Sequence, residues 1–160
     1  MEPGIIITTL VILALIFAPF IAMYIRSRAK RNTKIVQLKD FAISHNSKIS
    51  SYEYCKNFVI GIDENTKNLF FIKTIKDEIS EQAIDLKSIQ WCKITNSSRS
   101  AKTAGGSSTV VERLELNFYP KNKNDKEIIL ELYNHNSGLQ LSGEFQIAET
   151  YLEKINRLIS

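Results

Sequence analysis

The stretch from Ile5 to Ile25, IIITTLVILALIFAPFIAMYI, carries no charge, and the basic run RSRAKRNTK follows it at once. At about 1.5 Å rise per residue, a helix over this stretch is roughly 31 Å long, the thickness of a bilayer hydrocarbon core. Length and composition therefore predict one membrane-spanning helix over 5–25. Its Ile, Leu, Val and Phe side chains favour insertion by about 4–8 kcal/mol. Pro19 frees the carbonyl of Leu15 and is expected to bend the helix, a defect that membranes tolerate. A cleaved signal peptide needs a basic start, a shorter apolar run and a small-residue cleavage site. The chain begins MEPG and its apolar run is longer, so an uncleaved anchor is expected.

The flanks set the direction. Arg26, Arg28, Lys30, Arg31 and Lys34 are expected to stay cytosolic by the positive-inside rule. Residues 1–4 then cross the cell (inner) membrane, and everything after the anchor is cytosolic. Tyr24 falls at the interface, where amphipathic aromatics collect. The five bases can also hold anionic lipid head groups, at about 1 kcal/mol each near the surface; fixing topology is their simpler role. The chain has 21 Lys and Arg against 17 Asp and Glu. Without these five bases and Glu2, residues 35–160 keep 16 of each sign. The basic pI is thus a juxtamembrane property, and a nucleic-acid-binding domain, which needs a basic face of its own, is not expected.

Ala14, Ala18 and Ala22 recur every fourth residue and share one face of the helix. Small-xxx-small spacing lets two helices approach closely. That face offers a route to a homo-oligomer through the membrane helix, although alanine is common in such helices anyway.

The chain divides into residues 1–4 outside the cytosol, the span 5–25, a basic juxtamembrane segment and helix over 26–47, and a domain over 48–160. In TKIVQLKDFAISHNS (33–47) the apolar positions Ile35, Leu38, Phe41/Ala42 and His45 follow helical steps. No Gly or Pro separates it from the span, so the two can be continuous. His45 is expected as a partly buried helix-end residue. NFVIGID (57–63) and NLFFIKT (68–74) are strand-rich runs around ENTK, a hairpin with a four-residue loop. Gly61 inside the first run suggests a bulge or a close backbone approach. Residues 75–81 read as a polar connection. AIDLKSIQWCKIT (83–95) holds two short strands with a bend at Asp85 and Lys87, and Trp91 reads as a core or rim anchor. NSSRSAKTAGGSST (96–109) reads as a flexible connection; it lacks the G-x-x-x-x-G-K-[ST] of a phosphate loop.

TVVERLELNFYP (109–120) alternates, with Leu114, Leu116 and Phe118 inward. KEIILELYN (126–134) pairs with it, with Ile128, Leu130 and Leu132 inward and Ile129, Glu131 and Tyr133 outward, so this hairpin has one wet face. HNSGLQLSG holds one more short strand at 139–141. EFQIAETYLEKINRLI (144–159) is amphipathic along Phe145, Ala148, Leu152, Ile155 and Ile159, with Ser142 as a capping residue.

The FVIGIDENTKNLFFI hairpin, the IDLKSIQWCKI segment, the VVERLELNFY…EIILELYN hairpin and the final helix, taken in this order, resemble the pleckstrin-homology (PH)-like superfold. The resemblance covers about residues 50–160 and is similar to that of small bacterial membrane-anchored proteins with PH-like domains. It implies an α+β domain, an antiparallel β barrel or sandwich closed at one end by the C-terminal amphipathic helix. It also implies a scaffold for lipid head groups, peptides or protein partners, with catalysis seldom. Relatives that bind inositol lipids usually carry a basic first hairpin loop; here the loop is DENTKN, with two acids against one Lys.

Catalytic chemistry has little to work with. His45 lies on the juxtamembrane helix and His135 in a turn, and neither sits in a nucleophile motif. His45, Cys55, Cys92 and His135 lack the close pairs of a structural zinc site. Asp63/Glu64 and Asp77/Glu78 are sequence neighbours, which point apart on a strand. Cys55 and Cys92 read as reduced, partly buried thiols in a cytosolic domain. No catalytic residue, metal site or cofactor is expected.

The function that follows is a membrane-anchored, non-enzymatic binding or adaptor module. Its partner is another membrane protein or the anionic lipid surface. The alternative is a small structural subunit assembling through its membrane helix. A reporter active only outside the cytosol, fused after Ser160, should be silent; strong activity would reverse the topology.

Overall fold

The computed structural model describes residues 3–75, 78–103, 106–137 and 141–160. The chain forms two compact units, Met1–Gln37 and Leu38–Ser160. Helix α1, Pro3–Ser44, begins in the first and ends in the second. At 42 residues it is about 63 Å long, twice what a bilayer core takes up. It runs through Pro19 without ending. Its portion from Leu10 onward is the one stretch among the described residues long and apolar enough to cross a membrane; the most apolar 18-residue window within it has a mean hydropathy of 2.1 and is not buried.

The C-terminal end of α1 is set by Asn46, whose φ of 54° is left-handed. Two reversed hydrogen bonds close the helix there, from Ser47 N to Ala42 O at 2.9 Å and from Asn46 N to Ile43 O at 2.9 Å. This is the Schellman arrangement, with Asn supplying the backbone conformation that Gly more often supplies.

The second unit holds two separate antiparallel sheets. The first is β1 (Ser51–Tyr54), β2 (Phe58–Asp63), β3 (Asn68–Ile75) and β4 (Glu78–Asp85), in that order. A 3₁₀ turn over Leu86–Ser88 leads into the second, made of β5 (Ile89–Thr103), β6 (Gly106–Pro120) and β7 (Ile128–Asn134). Another 3₁₀ turn, His135–Ser137, precedes helix α2, Glu144–Ile159. The architecture is α+β, as the sequence predicts, but no strand ladder among the described residues joins the sheets into a barrel.

From Phe58 to Ile62 in β2 and from Leu69 to Ile72 in β3 no position carries a polar side chain, because each run is covered on two faces. Phe58, Ile60 and Ile62 of β2 and Leu69 and Phe71 of β3 enter the larger core, with Leu114, Leu116, Phe118, Leu130, Tyr151 and Ile155 from the second sheet and α2. The alternate residues Val59, Phe70 and Ile72 enter a smaller core with Leu38 and Ala42 of α1. Period-two side-chain alternation divides one continuous apolar run between two cores. Gly61 lies on the α1 side: a Cβ there would sit 2.8 Å from Leu38 Cδ2 and 3.1 Å from Ile49 Cδ1. The β2–β3 register is continuous through it, so Gly61 marks a close approach and no bulge.

The β2–β3 loop is the expected four residues, Asp63 pairing with Asn68 across it. Asp63 closes it: Oδ1 accepts the amides of Asn65 (3.0 Å) and Thr66 (3.3 Å), and Oδ2 accepts that of Lys48 (2.8 Å). Burial opposes its charge, but these donors and the Thr66 hydroxyl outweigh it and hold the carboxyl below its ordinary range.

Several expectations need correction. Residues 78–81 are no connection; they form the start of β4, paired with 72–75. Among the described residues β4 has no strand on its other side, and an edge strand is held by backbone bonds while its side chains stay wet. Residues 96–109 are no flexible connection either. Apart from 104 and 105, outside the described residues, they extend β5 and β6 as a two-stranded ribbon, Thr103 pairing with Gly106. Tyr133 is buried (4% exposed), because Leu132 is the extra residue of a bulge: Leu114 pairs with Tyr133 and Glu115 with Glu131. The buried face of α2 runs through Glu144, Ala148, Tyr151 and Ile155, while Phe145 is exposed and Leu152 half-buried. Tyr151 centres it by donating its buried hydroxyl to Ile60 O at 3.0 Å. The N-cap is Gly143, in the left-handed region with a φ of 107°, and not the expected Ser142; Ser142 N donates to Glu144 Oε2 at 2.5 Å. Of the strand expected at 139–141, positions 139 and 140 lie outside the described residues, and Leu141 has no regular structure. Asp77 also lies outside them.

Gly61→Val should therefore destabilise the protein by about 2–3 kcal/mol through overpacking against Leu38 and Ile49, measured by chemical denaturation of the full chain in micelles.

Candidate functional site

The wet face of the second sheet gathers the exposed side chains with the most chemistry. Trp91 and Lys93 come from β5, Asn117 and Tyr119 from β6, and Ile129 from β7. Trp91 pairs with Tyr119, Lys93 with Asn117, and Asn117 with Ile129. The Trp91 and Tyr119 rings stack at 3.9 Å between centroids and 8° between planes. Lys93 Nζ lies 5.5 Å from one centroid and 5.1 Å from the other. Trp91 is 43% exposed and Ile129 45% exposed. Beneath them Asn117 is buried; its Nδ2 donates to Glu127 Oε1 at 2.5 Å, and its Oδ1 has no partner. The hydrogen bond from Asn117, with that from Tyr119, holds the Glu127 carboxyl below its ordinary range, and Lys93 adds to this.

Trp91 was expected in the core or at its rim, and the structure puts it on the surface. Ile89 pairs with Pro120 and Trp91 with Tyr119, so Gln90 is an extra residue between them. A bulge shifts the inside–outside phase by one. Ile89 stays inward while Trp91 turns outward, followed by inward Cys92 and outward Lys93. Strict alternation from Ile89 would have placed Trp91 inward.

Farther along the same sheet lies a cleft of about 170 Å³ lined by Ser97, Arg99, Glu112, Arg113, Asn134, His135 and Asn136. Two more bulges bracket it. Glu112 is extra where Ser97 pairs with Arg113 and Ser98 with Val111, and Leu132 is extra on β7. Arg99 Nε meets Glu112 Oε1 at 3.3 Å. Arg113 reaches Glu115 through Nη1 and Glu131 through Nε, both at 3.5 Å.

Glu131 also ties the two sheets together. Lys73 of β3 points into the interior and is 8% exposed. Its ammonium donates to Glu131 Oε1 at 2.6 Å and Glu131 O at 2.8 Å, while Asn134 Nδ2 donates to Glu131 Oε2 at 2.8 Å. Burial raises the carboxyl's proton affinity, but Lys73, Asn134 and Arg113 together bring it below its ordinary value.

The residues singled out from sequence are dispersed. Arg26, Arg28, Lys30 and Arg31 are exposed on α1 and Lys34 is half-buried. Arg26, Lys30 and Lys34 follow one stripe, about 40° apart per step, and Arg28 and Arg31 lie on another side. Ala14, Ala18 and Ala22 form a similar stripe, all exposed. His45 is exposed and not partly buried, because the Schellman turn carries it past the packed face; its ring still meets Phe41 at 4.8 Å and Phe70 at 5.7 Å. Cys55 and Cys92 are free, buried thiols in the larger core. Burial first, then the Glu144 carboxylate, pushes Cys55 up to about 11, and burial pushes Cys92 up to about 12. Both are thiols at neutral pH, poor as nucleophiles or metal ligands. Among the described residues no three His, Cys, Asp or Glu side chains gather as a metal set. No protein-family model, curated protein or solved structure matches the chain.

Because Glu131 has its value depressed on folding, its stabilising effect is present above the ordinary carboxylate range and is lost as pH falls through the folded value. Glu131→Gln should cost about 2 kcal/mol at neutral pH, a buried-pair loss discounted for partial exposure. The gap from wild type should narrow below the ordinary value of 4.5, as read from denaturation curves at neutral and acid pH.

Proposed function

We propose that this chain is a single-pass, membrane-anchored, non-enzymatic binding or adaptor module that displays a PH-like domain at the cytosolic membrane surface. The long apolar helix with bases after its span supports the anchor and its direction. Two antiparallel sheets followed by one C-terminal amphipathic helix support the PH-like reading.

The observation that carries a binding role is the stacked, exposed Trp91–Tyr119 pair with Lys93 across it and Ile129 beside it. Isolated exposed apolar residues are ordinary, but contiguous ones mark contact sites. Trp and Tyr are also the residues that dominate binding energy at protein interfaces. The charge on this face favours a protein partner over an anionic lipid surface. At its aromatic end the one base, Lys93, is balanced by the Glu127 carboxylate beside it. An anchored domain meets partners confined to the same membrane, so the partner is another membrane protein. The rival, a structural subunit joined through its membrane helix, draws on the exposed Ala14, Ala18 and Ala22 stripe.

Trp91→Ala should leave stability within about 1 kcal/mol, since the side chain is wet. It should weaken capture of a crosslinked membrane-protein partner by about tenfold or more, as hot-spot residues do. Crosslinking in native membranes reads both hypotheses. Capture that ignores Trp91→Ala and vanishes when residues 5–25 are exchanged for an unrelated membrane helix would favour the rival.

A further inference from the structure

We infer that the cleft between β5, β6 and the His135–Ser137 turn is a recognition site for one small oxyanionic group, a phosphate monoester or a carboxylate. It is distinct from the aromatic end of the face and stands without it. The cleft is formed by the backbone itself. Bulges at Glu112 and Leu132 fall on neighbouring strands within one residue of the Arg113–Leu114 pair, and the 3₁₀ turn follows directly on β7. Bulges re-aim side chains and bend a sheet, and they recur beside functional sites. Here they bring Arg113 of β6 to the same concavity as Arg99 of β5 and His135 of the turn.

The lining is polar throughout, which suits a hydrated, charged group and excludes an apolar one. Two guanidinium groups face one lining carboxylate, Glu112. Arg113 is held by Glu115 through Nη1 and by Glu131 through Nε, and Arg99 by Glu112 through Nε. Those contacts, at 3.3–3.5 Å, are long for charge-assisted bonds, which run about 2.7–2.9 Å. Arg99 Nη1 and Nη2 and Arg113 Nη2 are not used in these pairs, and such N–H groups match two oxygens of a carboxylate or phosphate at once. Asn134, Asn136 and Ser97 add uncharged polar groups around the same space. A volume of about 170 Å³ admits a phosphate or carboxylate group and is below the ~300–1,000 Å³ of pockets for drug-sized molecules. The ligand is therefore recognised by its anionic end, with the remainder outside the cleft.

The test uses the full chain in phosphatidylcholine nanodiscs, titrated by calorimetry with inorganic phosphate and separately with succinate, and a flotation assay with phosphatidic acid vesicles. Saturable binding with a dissociation constant of about 1 mM or tighter is expected, weakened about tenfold by Arg99→Gln, the loss of one charged hydrogen-bonding partner. Arg99 is exposed, and its ion pair among the described residues is with Glu112, so this variant keeps the fold; His135→Gln provides a second probe, with about fivefold loss. Lys123→Gln, an exposed base on the β6–β7 connection outside the cleft, should change nothing. Binding of phosphate or succinate assigns a soluble ligand, and flotation with phosphatidic acid alone, sensitive to Arg99→Gln, assigns a lipid phosphate. No binding of any probe, or binding equal in wild type, Arg99→Gln and His135→Gln, would overturn the inference.

Discussion

The domain depends on the burial of β2 and β3 from both sides. A strand has only two faces, and most antiparallel strands leave one of them wet. Here one set of alternate residues faces the core shared with the second sheet and α2, and the other set faces Leu38 and Ala42 of α1. The helix is consequently part of the domain's packing over its last turns, and Gly61 is small because Leu38 and Ile49 occupy the space where its side chain would be. Tyr151 ties the third layer to the same strand, through its hydroxyl on Ile60 O.

With β2 and β3 covered on both faces, the second sheet presents an open one. Its wet side carries the stacked aromatic pair at one end and the polar cleft at the other. Three bulges, at Gln90, Glu112 and Leu132, determine what that surface displays. The first turns Trp91 outward, and the other two shape the cleft. Lys73 and Glu131 join the sheets across the interior. An inward lysine is costly unless its charge is met, and Glu131 meets it with both a carboxylate oxygen and a backbone carbonyl. The group that steadies the interior thus also orients Arg113 at the surface.

Much of the fold was legible in short-range patterns. The apolar span, the juxtamembrane helix, the ENTK hairpin, the inward Leu114–Leu116–Phe118 set and the terminal helix all show in residue spacing, because each has a local period. What failed was where backbone pairing decides. Residues 78–81, 96–103 and 106–109 look like connections by composition, yet they are strands, since an edge or a ribbon is held by main-chain bonds that need no apolar side chains. The candidate site was the least legible part. Trp91 was visible, but its exposure hinges on one extra residue in the ladder, and His135 and Arg99 come together only across three strands.

By itself the sequence determined the long apolar helix with its charged flank, and the division of the rest into strands and one closing helix, because hydrophobic length and period are properties of neighbouring residues. Only the tertiary structure decided that β2 and β3 serve two cores, that Trp91 faces outward and that two arginines share a cleft. Those outcomes depend on register, and register is settled by which strands pair and where a bulge shifts the phase.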